Sequence, residues 1–178
     1  MNAIGSGTGN LSVEQRELLA LLLAEEGLAP EEEAGIPRRR EDGDLPLSFP
    51  QQRLWFLQQL EGGAAYNVPS SVHLNGAFDP AALAGALSAI VRRHESLRTF
   101  FVLSNGQPVQ RIAPAAPLSL PLLDLRALPA ERRPEEARRL GTEEIHRPFD
   151  LAQAPMVRST LVWLDDCEHV LFLLIHHI

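Results

Sequence analysis

The stretch "VLFLLIHH", residues 170–177, limits the fold more than any other part of the chain. Six apolar residues in succession, Val170 to Ile175, leave no polar alternation, so the segment reads as a strand buried in a core. Just upstream, "MVRSTLVWL" (Met156 to Leu164) is a second strand-like run, and Asp165–Asp166 between the two reads as a turn. Successive side chains of a strand point to opposite faces. If Ile175 and His177 share one face, His176 shares the other with Leu174, and at most one histidine of the pair faces a site.

The remaining elements follow from local signals. "SFPQQRLWFLQQL" (Ser48 to Leu60) has helical spacing after Pro50, with Trp55 and Phe56 expected in the core. "VPSSVHLNG" alternates Val68, Ser70, Val72 and Leu74 and reads as a strand. Asp79 caps the helix "PAALAGALSAIVRRHE", which has Pro80 in its first turn and gathers Leu83, Leu87, Ile90 and Val91 on one side. "LRTFFVLSNGQPVQRI" is a hairpin turning at "SNGQ", "LSLPLLDL" adds a short strand, and "PEEARRLGTEEIHRPF" a surface helix. Strands with interspersed helices place the chain in the α/β class.

Residues 45–178 hold this globular pattern, and residues 1–44 read differently. Residues 1–10 are rich in Gly, Ser, Thr and Asn and are expected to be disordered. Residues 11–27 are expected to form an amphipathic helix, with Ser12 and Gln15 as a capping box, Gly27 as its stop and Leu18, Leu19, Leu22 and Leu23 as its stripe. "APEEEAGIPRRREDGD" reads as a linker. The helix is open to two interpretations, a docking element for an upstream subunit or an inter-domain linker helix.

Composition removes several chemistries. A net charge of −7 argues against a general nucleic-acid binder, and all 16 basic residues are arginine, which excludes Schiff-base lysine catalysis. The single cysteine, Cys167, excludes an internal disulfide and a cysteine zinc site, and a third metal ligand at usable spacing from the histidine pair is lacking. No apolar run approaches the length of a membrane span and no signal peptide is visible, so a cytoplasmic location is expected.

Three stretches carry a family resemblance: "SFPQQRLWFLQQL", "RHESLRTFF" (Arg93 to Phe101) and "HHI" (His176 to Ile178), with "YNVP", "GQPVQRI" and "RPFDLAQAPMVRSTLV" between them. In order and spacing they resemble the first three core motifs of condensation domains of nonribosomal peptide synthetases. The resemblance implies the two-lobed acyltransferase fold of the chloramphenicol acetyltransferase type, of which residues 45–178 would be the front part, an incomplete first lobe. In the family the third motif continues to an Asp-Gly pair beyond the residues present here, so these residues alone are expected to be inactive. The resemblance further implies amide formation between carrier-bound donor and acceptor thioesters. It assigns the catalytic position to His177 and leaves His176 as structural support. Arg93 and Arg98 would brace the active-site loop through that Asp. The phosphopantetheine would arrive on carrier proteins, with an adenylation domain adjacent and no cofactor or metal bound directly. An imidazole, with an ordinary pKa near 6.5, can take a proton near neutrality. A free α-amine titrates at about 7.7–8.0, however, so His177 could equally act by orienting the amine. "HHI" speaks against heterocyclisation domains, and the first two motifs look most like the class joining two L-configured residues; a lipid-accepting starter domain stays open. So do a related acyltransferase using coenzyme-A-bound or free substrates, and a non-catalytic truncated gene product.

Overall fold

A computed structural model describes residues 12–25, 43–77 and 79–178. Residues 1–42 and 43–178 form two units. The expected disorder of residues 1–10, the Gly27 stop and the linker run up to Asp42 lie outside the described residues. In the first unit, helix α1 (Val13–Glu25) starts with the expected capping box: Ser12 and Gln15 exchange backbone-to-side-chain hydrogen bonds of 2.9 and 3.2 Å. The expected two-faced character is not there. Leu21, 63% exposed, sits four residues from Glu17 and seven from Glu14, so the leucines spread around the helix instead of lining one side.

The second unit carries two sheets. Strands β1 (Leu45–Pro46), β4 (Gln107–Ile112) and β3 (Thr99–Ser104) form the smaller, in the order β1-β4-β3. The β3–β4 hairpin turns on Asn105 and Gly106, both at positive φ (51° and 76°), the conformation a tight two-residue hairpin requires. The larger sheet has the order β2-β7-β6-β5, from Asn67–Asn75, Glu168–His176, Val157–Asp165 and Leu122–Asp124. β7 lies in its middle, antiparallel to both β2 and β6, while β5 runs parallel to β6. Along the apolar run Val170 and Leu171, on opposite faces, are both buried, whereas toward the end of the strand Leu174 is buried and Ile175 is 41% exposed, so the sheet is covered on both faces at one end of β7 and open on one face at the other.

The helices follow their sequence signals. Ser48 and Gln51 close a capping box on α2 (Phe49–Glu61), and the Asp79 carboxylate accepts the Ala81 N–H at the start of α3 (Pro80–Arg93). Trp55 packs on the core, as expected, but Phe56 is 56% exposed, because the half-buried face of α2 is that of Leu54, Trp55, Leu57 and Gln58 and Phe56 lies across the helix from it. A 3₁₀ turn, Glu95–Arg98, links α3 to β3, and α4 spans Arg133–His146. Among the described residues, no helix is long and apolar enough to cross a membrane.

α4 lies so close to the sheet that only glycine fits at one position. A Cβ built on Gly141 would stand 2.6 Å from the Phe172 ring, and that ring is held between two core clusters. Glycine to alanine within a helix ordinarily gains about 1 kcal/mol. Here the overlap should reverse the sign, and Gly141→Ala is expected to destabilise the chain by about 1–3 kcal/mol in chemical unfolding. In a Phe172→Leu background the penalty should largely vanish; its persistence would sink the explanation.

Candidate functional site

The site begins where β7 ends. Leu174 and His176, 2% and 4% exposed, point into the core, while Ile175 is 41% exposed and His177 is exposed with it. His176 lies between Phe149, edge-on at 5.9 Å, and Tyr66 at 6.3 Å. Burial, with the adjacent His177 adding to it, pushes its pKa down to about 4, so the ring is neutral near pH 7. Its Nδ1 accepts the backbone N–H of Ile178 at 3.1 Å, which leaves the ring proton on Nε2. Nε2 is buried without a hydrogen-bond partner in the structure.

Backbone hydrogen bonds draw distant parts of the sequence to this point. The Leu97 carbonyl accepts the Met156 N–H at 2.9 Å, and the Met156 carbonyl accepts the His176 N–H at 3.1 Å. The His177 N–H donates to the Tyr66 carbonyl at 3.0 Å. A pocket of about 160 Å³ opens beside these bonds, lined by Gln51, Ser96, Leu97, Thr99, Met156 and His176 among others. All three motif stretches therefore contribute to one pocket. A larger open cleft of about 680 Å³ lies between the end of α4, residues 117–121 and β6, and none of the four candidate site residues lines it.

The two arginines are placed differently. Arg93 is exposed at the last position of α3. The Arg98 guanidinium, mostly buried, donates to the Ala113 carbonyl at 2.5 Å and pairs with the Glu95 carboxylate at 3.2 Å. No hydrogen bond or ion pair joins either arginine to His176 or His177.

Two supporting residues escaped sequence reasoning. Arg158 stacks 3.9 Å above the Phe149 ring and donates to the carbonyls of Glu144, Arg147 and Pro148 where α4 ends. Its place in a strand whose following residues, Leu161 to Leu164, are apolar was the available signal, because a cation beside a core needs a partner. Asn67 donates to the carbonyls of Ile145 and Arg147 at 2.7 and 2.9 Å, tying β2 to the same helix end. Both residues keep α4 and Phe149 in position, and Phe149 in turn walls His176.

The family model for the condensation domain matches residues 41–178. The chain belongs to the condensation-domain family. It is 45% identical over 169 residues to the phosphinothricin tripeptide synthetase PhsC of Streptomyces viridochromogenes, covering 94% of this chain and 16% of that protein. It is 50% identical over 135 residues to the chondramide synthase cmdD of Chondromyces crocatus, covering 75% of this chain and 4% of that protein. Among solved structures, the starter condensation domain of rhizomide synthetase RzmA matches with a TM-score of 0.69 and 26% identity, over 76% of this chain and 34% of that one. The first condensation domain of the calcium-dependent antibiotic synthetase, in complex with a substrate analogue, matches with 0.69 and 28%, over 77% and 33%. The chain thus spans about a third of solved condensation-domain chains and a small part of the synthetases it resembles.

Proposed function

We propose that this chain supplies the His177 side of a condensation site that forms an amide between a donor acyl or peptidyl thioester and an acceptor aminoacyl thioester, each held on a carrier protein by phosphopantetheine. The observation that carries the reading is the opposite orientation of the two imidazoles where three family motifs converge. His176 is buried and lines the pocket that the three motifs share, whereas His177 is exposed, outside that pocket's lining, and left able to meet a substrate. The acceptor amine attacks the donor carbonyl carbon, so a C–N bond forms, the C–S bond breaks and the donor carrier keeps the thiol. His177 orients the amine by a hydrogen bond and takes the proton it sheds, which passes to the departing sulfur. Because a useful fraction of α-amine is unprotonated near neutral pH, orientation carries more of the effect than basicity. Arg93 and Arg98 act as support, away from the reacting atoms.

The test is a single turnover with the complete domain, a loaded donor carrier and a loaded acceptor carrier. An amide product that requires both carriers is expected, and the 178 residues alone should give none. Equal product from a coenzyme A thioester with a free amine would instead favour a carrier-independent acyltransferase. Turnover by the 178 residues would overturn the expectation for the fragment.

A further inference from the structure

The peptide N–H groups on the two sides of the His177 Cα are held by different means, and the second of these bonds has no counterpart in the sheet. On the N-terminal side, the His177 N–H is bound by the Tyr66 carbonyl at 3.0 Å, a contact that extends the pairing of β2 with β7. On the C-terminal side, the Ile178 N–H turns back to a side chain, Nδ1 of His176, at 3.1 Å. We propose that His176 is a positioning residue whose Nδ1, by taking the Ile178 N–H, ends strand β7 in a turn that fixes the direction of His177. The proposal rests on the reading of His177 as the residue that meets substrate.

A side-chain acceptor bonding the N–H two residues ahead is the geometry of an Asx turn, which Asp and Asn make with Oδ1. Nδ1 of histidine occupies the corresponding place. The acceptor is rigidly set, because the ring is 4% exposed, packs on Phe149 and Tyr66, and has its own backbone N–H on Met156. It is also available at all times near neutrality, since the buried ring carries a single proton and Ile178 requires that proton to be on Nε2. Ring packing alone would need only a side chain of similar volume. The hook needs one atom, and that distinction can be tested.

Three substitutions separate the atoms: His176→Asn keeps an acceptor where Nδ1 stands, His176→Gln places its polar end where Nε2 stands, and His176→Leu keeps only bulk. In the complete domain, Gln and Leu are expected to slow amide formation on the order of 10-fold to 10²-fold, whereas Asn recovers the larger part of the rate. Protection of the Ile178 amide from hydrogen exchange, measured on the 178-residue chain, should follow the same order and does not depend on any assumed reaction. Recovery by Gln in place of Asn would point to Nε2 and overturn the proposal, as would full rate and full Ile178 protection in the Leu variant. Should the variants fold poorly, two-bond proton–nitrogen correlation on the unsubstituted chain still decides: Nε2 protonated and Nδ1 bare is expected at pH 7, and a proton on Nδ1 refutes the hook.

Discussion

Replacing His177 with alanine in the complete domain should lower amide formation by about 10²-fold or more while leaving the fold intact. The expectation joins two separate facts about one side chain. His177 is exposed on the face it shares with Ile175, so its removal opens no cavity, and stability should stay within about 0.5 kcal/mol of the parent. Its backbone remains tied to Tyr66 through an N–H that alanine also has. A large loss of rate with an unchanged unfolding midpoint is then a loss of chemistry or of substrate orientation. Splitting the effect distinguishes these: a higher KM with normal kcat would mean shared ground-state binding, and equal losses in kcat and kcat/KM would mean an interaction made in the transition state. A rate within about threefold of the parent would remove His177 from the catalytic position, since a positioned general base or amine partner contributes far more.

Much of this arrangement is readable from sequence because the deciding physics is local. The apolar run of β7 implies a buried strand, the Asn105–Gly106 pair implies the hairpin turn, and the spacing after Pro50 implies helix α2. The opposite orientation of His176 and His177 needs nothing beyond the period of a strand. What stayed hidden depends on contacts between residues far apart in the chain. The Leu97–Met156–His176 series of backbone bonds joins three segments whose carbonyls and N–H groups look like any others in a sequence. Arg158 looks like an isolated surface cation until the end of α4 is placed against it. Gly141 looks like a weak helix position until Phe172 fills the space above it. Phe56 marks the opposite error: its apolar character was read as burial, although it lies across the helix from the half-buried Leu54, Trp55 and Leu57.

Leu174→Ala should destabilise the chain by about 2–5 kcal/mol, on the order of 10 °C in unfolding temperature, whereas Ile175→Ala next to it should cost under about 1 kcal/mol. Leu174 is 2% exposed in a cluster with Leu47, Phe101, Phe149, Leu151 and Met156, so alanine leaves a cavity that these five packed neighbours cannot close without moving. Ile175 is 41% exposed opposite Val68, itself 46% exposed. The pair reports on register more sharply than either substitution alone. A slip of one residue along β2 and β6 exchanges the two faces of β7 and would reverse the order of the two costs. The same slip would turn His176 outward and bury His177, which exchanges the two imidazoles and undoes both the exposed catalytic position and the Ile178 hook. Equal costs, or a larger cost for Ile175, would therefore contradict the strand pairing and the site built on it together. The expected inequality would tie the face that stabilises the sheet to the choice of which histidine meets substrate.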